Sequence, residues 1–200
     1  MYLIGLTGGI ASGKSTVSKM LSELGAYIVD ADKLAREVAR PGTPAWKDIV
    51  ARFGRGIINE NGEIDRKLLG KIVFDDSLAR ADLEQITHPW IKAEVEAAIK
   101  RAEEADYAAA VLDVPLLIET GWHKLVQSVW VVFVDEKTQV ERLMARDNLN
   151  YDSAMARINA QLSLKEKVKY ADVVINNSTS IESTQNQVRE AWKELGEFFS

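Results

Sequence analysis

Five short runs of the chain are apolar at nearly every position: Tyr2–Leu6 (YLIGL), Ala26–Asp30 (AYIVD), Ala108–Val114 (AAAVLDV), Ser128–Asp135 (SVWVVFVD) and Asp172–Asn176 (DVVIN). A strand with one wet face alternates apolar and polar residues. Continuous Val, Ile and Leu character marks strands covered on both faces, hence a parallel sheet between helices. The intervening segments switch to helical spacing. Val17, Met20, Leu21 and Leu24 fall at i, i+3, i+4 and i+7, and Gly25 follows where a helix-ending glycine belongs. Between Asp30 and Ala108 the pattern is helical throughout. Thr43-Pro44 has the form of a cap and first helical residue ahead of Trp46, Ile49, Val50 and Phe53, with Gly54 as the stop. Leu68, Leu69 and Ile72 predict a second helix there, and His88-Pro89 opens a third that carries Ile91, Val95 and Ile99. Trp46, Phe53, Phe74 and Trp90 read as the core of this insertion. Two charged, arginine-rich helical segments lie between Asp135 and Asp172, the first capped by Asp135. The chain closes with a helix from a capping box at Thr179 and Glu182 through Val188, Trp192 and Leu195.

The turn between the first strand and the first helix carries the chemistry. In LTGGIASGKST (Leu6–Thr16), Gly8 and Gly13 bracket four residues and Lys14-Ser15 follow, the spacing G-x-x-x-x-G-K-[ST]. Glycine is needed where backbone N–H groups approach an anion, because a Cβ would block the path. The loop delivers that anion to a helix N-terminus, where unpaired amides and the helix dipole favour negative charge. Lys14 is expected to reach the β- and γ-phosphates of a nucleoside triphosphate, and Ser15 to hold Mg²⁺.

Composition narrows the alternatives. With 200 residues the chain suits one domain with lobes, and 46% hydrophobic against 28% charged residues is ordinary for a soluble globular protein. The formal net charge of −5 argues against a broad nucleic-acid footprint. No cysteine is present, which removes disulfides, thiolate catalysis and Cys-based zinc sites and fits a reducing cytoplasmic setting. No apolar run approaches the ~20 residues of a membrane span. The reading is therefore a nucleotide enzyme with a small-molecule substrate, without nucleic acid, membrane or obligate protein partner.

In open parallel sheets ligands bind beyond the carboxyl ends of the strands, and three strands end there in carboxylates. Asp113, after four apolar residues, has the pattern of a magnesium-holding Walker-B aspartate. Asp30 and Asp32 follow the second strand; if the chain stays extended they point the same way, and Asp32 is placed to orient and deprotonate an attacking hydroxyl. The rival role for Asp32 is that of helix cap, which would leave the base to Asp30 or Asp113. Arg142 and Arg146, four apart on one helical face, suit a lid that closes over polyphosphate, with Arg157 and Lys165 following. His88 and His123 lack metal-ligand spacing, and His88 reads as a helix cap or acceptor-site residue.

The strings GLTGGIASGKST, VDAD, THPWI, DVPLLIE, ERLMARD, RINAQ and ADVVINN resemble, in order and approximate spacing, the bacterial dephospho-CoA kinases over Leu3 to about Asn177. That resemblance implies ATP-dependent phosphorylation of a ribose 3′-hydroxyl to give coenzyme A and ADP. It implies nucleotide phosphates on Gly9, Ile10, Ala11, Ser12, Gly13, Lys14, Ser15 and Thr16, with Asn176 near adenine. It further implies acceptor contacts near Asp32 and His88, alongside Asp113, and lid cations at Arg142 and Arg146. Where the family often carries a glycine soon after VINN, Ser178-Thr179-Ser180 stand here. The expected architecture is an α/β, P-loop NTPase-type three-layer fold with a five-stranded parallel sheet. Residues 1–31, 108–135 and 171–200 would form its core, about 32–107 a helical acceptor lobe and about 136–170 a lid. Other small-molecule P-loop kinases share most of these features. A GTP switch would carry N-K-x-D and D-x-x-G, and neither occurs; an assembly ATPase does not explain the inserted lobe.

Overall fold

The computed structural model describes residues 1–196, so the last four positions of the 171–200 core segment lie outside the described residues. Five strands form one parallel sheet in the order β2-β3-β1-β4-β5: β1 (Tyr2–Gly8), β2 (Tyr27–Asp30), β3 (Ala109–Asp113), β4 (Ser128–Phe133) and β5 (Val173–Asn176). Each run that lacks alternation became a strand. β1 is central, with Leu6 opposite Asp113 on one side and Gly8 opposite Val132 on the other. β3 is buried at all five positions, whereas edge strands β2 and β5 are partly exposed. One face of the sheet packs Ile4, Leu6, Val111, Trp130, Val132 and Ile175 against α1 (Lys14–Glu23) and α9 (Ile181–Gly196). α1 ends as its glycine demands: Gly25 has φ 98°, and the Gly25 and Ala26 amides return to the Ser22 and Leu21 carbonyls.

The chain divides into two compact units, one of Met1–Val29 with the residues from Ala102 onward, the other Asp30–Arg101. The second holds α2 (Ala31–Val38), α3 (Pro44–Phe53), α4 (Arg66–Asp75) and most of α5 (Ser77–Glu104). Its core is Ile49, Ile57, Ile64 and Leu69, with Trp46 and Phe53 packed against it and the Trp46 indole donating to the Gly62 carbonyl at 3.1 Å. Thr43 caps α3 as expected. Phe74 and Trp90 are not core: they are 82% and 41% exposed, and Trp90 lines a cavity of about 420 Å³ with Val38, Pro44 and Glu94.

Two helix boundaries differ from the sequence reading. α5 runs unbroken through Pro89, so His88 sits inside a 28-residue helix and opens nothing. The proline removes one backbone bond, but apolar packing continues on both sides, with Leu83 and Ile86 before it and buried Val95 and Ala98 after it. The cap of α9 is Ser180, whose hydroxyl accepts from the Ser183 amide at 3.2 Å, one residue beyond Thr179. The segment after β4 forms three helices where two were expected: α6 (Glu136–Asp147), α7 (Tyr151–Asn159) and a short α8 (Leu164–Val168). Asp135 caps α6 through the Thr138 amide at 2.9 Å, and hydrogen bonds from Thr138 hold its carboxyl below the usual range.

Candidate active site

β1 ends at Gly8 and α1 begins at Lys14, and the five residues between them make the turn. Gly13 lies in the left-handed region at φ 90°, and Ala11 joins it there at φ 59°. The glycines are small for the protein's own sake. A Cβ on Gly8 would overlap the Ser12 hydroxyl, one on Gly9 would come within 2.6 Å of the Gln139 amide, and one on Gly13 would overlap the Asn177 amide. The Thr16 amide returns to the Gly13 carbonyl at 2.9 Å. Among the described residues the amides of Gly13, Lys14 and Ser15 have no acceptor, and Ser12 Oγ is buried without a partner. Three free N–H groups at the start of a ten-residue helix form a positive socket.

Lys14 is not open to solvent as a glycine-rich loop would suggest. Its ammonium is ion-paired with Asp113 at the end of β3, and the two side chains are only 17% and 7% exposed. Sheet register explains the meeting, since Asp113 stands opposite Leu6, just ahead of the turn. Ser15, next to Lys14 in the chain, is exposed.

Two glutamines and a buried lysine brace this turn, none singled out from sequence. The Ile10 amide donates to Gln161 Oε1 at 2.9 Å while its carbonyl accepts from Gln139 Nε2 at 2.8 Å. Glu119, last residue of DVPLLIE, accepts from the Leu162 amide at 3.1 Å and from Lys167 Nζ at 2.9 Å. Lys167 is fully buried and also donates to the Pro115 carbonyl at 2.7 Å; Thr7 of β1 donates to that same oxygen at 2.9 Å. Burial pushes the Lys167 ammonium below the usual lysine range, with Glu119 opposing and Lys14 adding to the shift. The pair is asymmetric, which fixes an expected result. Glu119→Gln strands a buried ammonium and should lower unfolding free energy by about 3 kcal/mol, whereas Lys167→Met leaves a partly hydrated carboxylate and should cost less. Urea unfolding of both single variants and the double variant checks this; equal losses would mean that the pair is not what holds the segment.

At the far end of β5 the structure separates two neighbouring asparagines. Asn176 is exposed, its backbone paired on both sides with the Gln187 carboxamide (2.8 and 2.9 Å) and its side chain accepting from the Ser178 amide. Asn177 is buried, donates from Nδ2 to the Ser12 carbonyl at 2.8 Å and accepts from the Thr184 hydroxyl at 2.8 Å. The residue that touches the turn is the second of the pair.

In the second unit, Asp30 caps α2 by accepting from the Lys33 amide at 2.9 Å. That removes the capping role from Asp32, which lies exposed in the first turn of α2. The helix starts at Ala31, so the two carboxylates do not share an extended strand. His88 is exposed on α5. On α6, Arg142 is half-buried with no ion-pair partner among the described residues, while Arg146 forks onto Asp147 at 2.8 and 3.1 Å. Arg157 of α7 meets the same carboxylate at 2.7 Å. The two guanidiniums hold the Asp147 carboxyl below its usual range.

The dephospho-CoA kinase family model matches residues 2–183. The chain belongs to the dephospho-CoA kinase family. A dephospho-CoA kinase of Carboxydothermus hydrogenoformans is 52% identical over 93% of this chain and 90% of its own. Two solved structures are each 30% identical: a Thermus thermophilus protein (97% of each chain, TM-score 0.83) and the dephospho-CoA kinase of Campylobacter jejuni (99% of this chain, 98% of that one, TM-score 0.74). The chain is thus a kinase that uses ATP, with no described helix long and apolar enough to cross a membrane.

For a dephospho-CoA kinase the grouping is informative. Lys14, Ser15, Asp113 and the free amides meet at one end of the sheet, and three of the strings that carry the family likeness lend a brace: Glu119 from DVPLLIE, Gln161 from RINAQ and Asn177 from ADVVINN. Their presence in shared strings was the available signal, but strings do not say which member touches what.

Proposed function

We propose that this chain transfers the γ-phosphoryl group of ATP to the ribose 3′-hydroxyl of dephospho-CoA, giving coenzyme A and ADP in the cytoplasm. The observation that carries the reading is the socket of three free amides beside the Lys14–Asp113 pair, in a chain of this family. Phosphoryl transfer is largely positioning and charge stabilisation, and this site supplies both. The turn Gly9–Thr16 receives the donor's phosphates. Lys14 would exchange Asp113 for phosphate oxygens when ATP arrives, and the carboxylate so released, with the Ser15 hydroxyl, would hold Mg²⁺.

These donors fit magnesium: both are hard oxygens, and the described residues hold no group of three or more His, Asp or Glu that would cage a metal without substrate. When bound, the ion would supply neutralisation of charge on the phosphate oxygens. Asp32 accepts the proton of the 3′-hydroxyl, while Asp32, His88 and Asp113 contact the acceptor. Arg142 and Arg146 form the lid: Arg142 carries an uncommitted charge, and Arg146 leaves Asp147 for the polyphosphate. Asn176 borders the adenine.

The test is a panel of acceptors with ATP and Mg²⁺. Dephospho-CoA should give the highest kcat/KM by a wide margin over AMP, CMP and shikimate, and chelation should stop turnover. A nucleoside monophosphate at the top of that ranking would replace the substrate assignment.

A further inference from the structure

Nothing in the reading above uses Asn177, although it is a buried polar side chain in direct contact with the phosphate turn. We propose that Asn177 is a positioning residue for the phosphate donor: its carboxamide, locked by Thr184, sets the Ser12–Gly13 peptide so that the free amides of α1 face outward. The inference rests on the reading that this turn holds the donor's phosphates.

Four contacts fix the carboxamide. The Asn177 amide donates to the Phe133 carbonyl at 2.8 Å, tying the residue to β4. A backbone carbonyl can only accept, so the group facing Ser12 must be Nδ2, which it meets at 2.8 Å. The side-chain oxygen then needs a donor, and the Thr184 hydroxyl supplies it at 2.8 Å from a fully buried position on α9. The fourth contact is a close approach: a Cβ on Gly13 would overlap Nδ2. Gly13 is therefore small partly to admit this amide, and its left-handed φ of 90° is held where the carboxamide presses. No titratable side chain hydrogen-bonds to Asn177 or Thr184 among the described residues.

The geometry requires an amide rather than an acid. Asn177→Asp keeps the shape but replaces a donor by a carboxylate that repels the Ser12 carbonyl and the incoming phosphates. Protonated, the same carboxyl can donate again, and burial beside acceptors raises its pKa. Protonation would also relieve a penalty on the fold, so melting is followed on the same samples, and a positioning role requires the affinity to change between the two pH values while the protein stays folded at both.

The experiment measures ADP binding by calorimetry at pH 8 and pH 5.5, each variant relative to the unsubstituted protein at the same pH, together with the KM for dephospho-CoA. Asn177→Asp should bind ADP about 30-fold more weakly at pH 8, recover most of that loss at pH 5.5, and leave the acceptor KM within a few-fold. Thr184→Val should weaken ADP about 5-fold at both pH values, and Thr184→Ser, which keeps the hydroxyl, should restore it. The Thr184 pair decides the matter if Asn177→Asp does not fold. Unchanged ADP affinity in Asn177→Asp at pH 8, a loss indifferent to pH, or equal affinities in the two Thr184 variants would each overturn the proposal. Failure of the unsubstituted protein to bind ADP would instead overturn the reading of the turn itself, and is visible without any variant.

Discussion

Replacing Lys14 by alanine should lower kcat by about 10³-fold, the scale of a lost electrostatic contact in a preorganised site. The effect on the fold should not be negligible, because the lysine is laid against Asp113 with both side chains mostly covered. Lys14→Ala leaves that carboxylate without its cation and should lower the melting temperature. The two consequences can be separated. Adding Asp113→Asn to Lys14→Ala removes the orphaned charge, so melting should return toward that of the unsubstituted protein while turnover stays low. Steady-state kinetics and thermal unfolding on the same samples read both effects. Turnover in Lys14→Ala close to that of the unsubstituted protein would take the phosphate turn out of the mechanism.

Asp32→Asn should cut kcat by about 10²- to 10⁴-fold, the range expected for loss of a general base, with ATP binding barely changed. The structure sharpens this test. Asp30 is the cap of α2, so the change at Asp32 disturbs no cap, and stability should be retained. Any loss of turnover then reports on the carboxylate. Near-normal kcat would move the search for the base to Asp113 or to Asp30, whose carboxylate oxygen is engaged by the Lys33 amide. The quantity to compare is kcat at saturating dephospho-CoA, because a mere binding role would appear in KM.

What could be read from the sequence follows from the range over which each signal acts. The strands were legible because strands covered on both faces show no alternation, and β1, β3 and β4 are buried almost throughout. The phosphate turn was legible because its spacing is a local requirement of strand, turn and helix. Pro89 misled because a proline is a local stop signal, while the continuity of α5 is decided by packing on either side of it. The Ser178-Thr179-Ser180 run offers several possible caps, and only the observed hydrogen bond selects Ser180. Asp30 and Asp32 were mis-paired because α2 begins immediately at Ala31, leaving no extended residue between them. Lys167 and Asn177 could not be found by pattern. Lys167 meets Glu119 across 48 residues and Asn177 meets Ser12 across 165, and one buried lysine looks in sequence like any solvated one.

The central position of β1 has a consequence for how the protein comes to exist. The phosphate turn is made early in synthesis, yet β1 acquires its neighbours only when β3 and β4 have been made, more than 100 residues later. Until then it is an apolar strand with two open edges, the kind of segment that chaperones shield on a nascent chain. The Ser12 carbonyl waits longer still, for Asn177 and then for Thr184 on α9. If Asn177 positions the donor as proposed, nucleotide competence is conferred late in translation, and a stalled chain lacking α9 carries the whole glycine-rich motif without the Thr184 contact that locks Asn177.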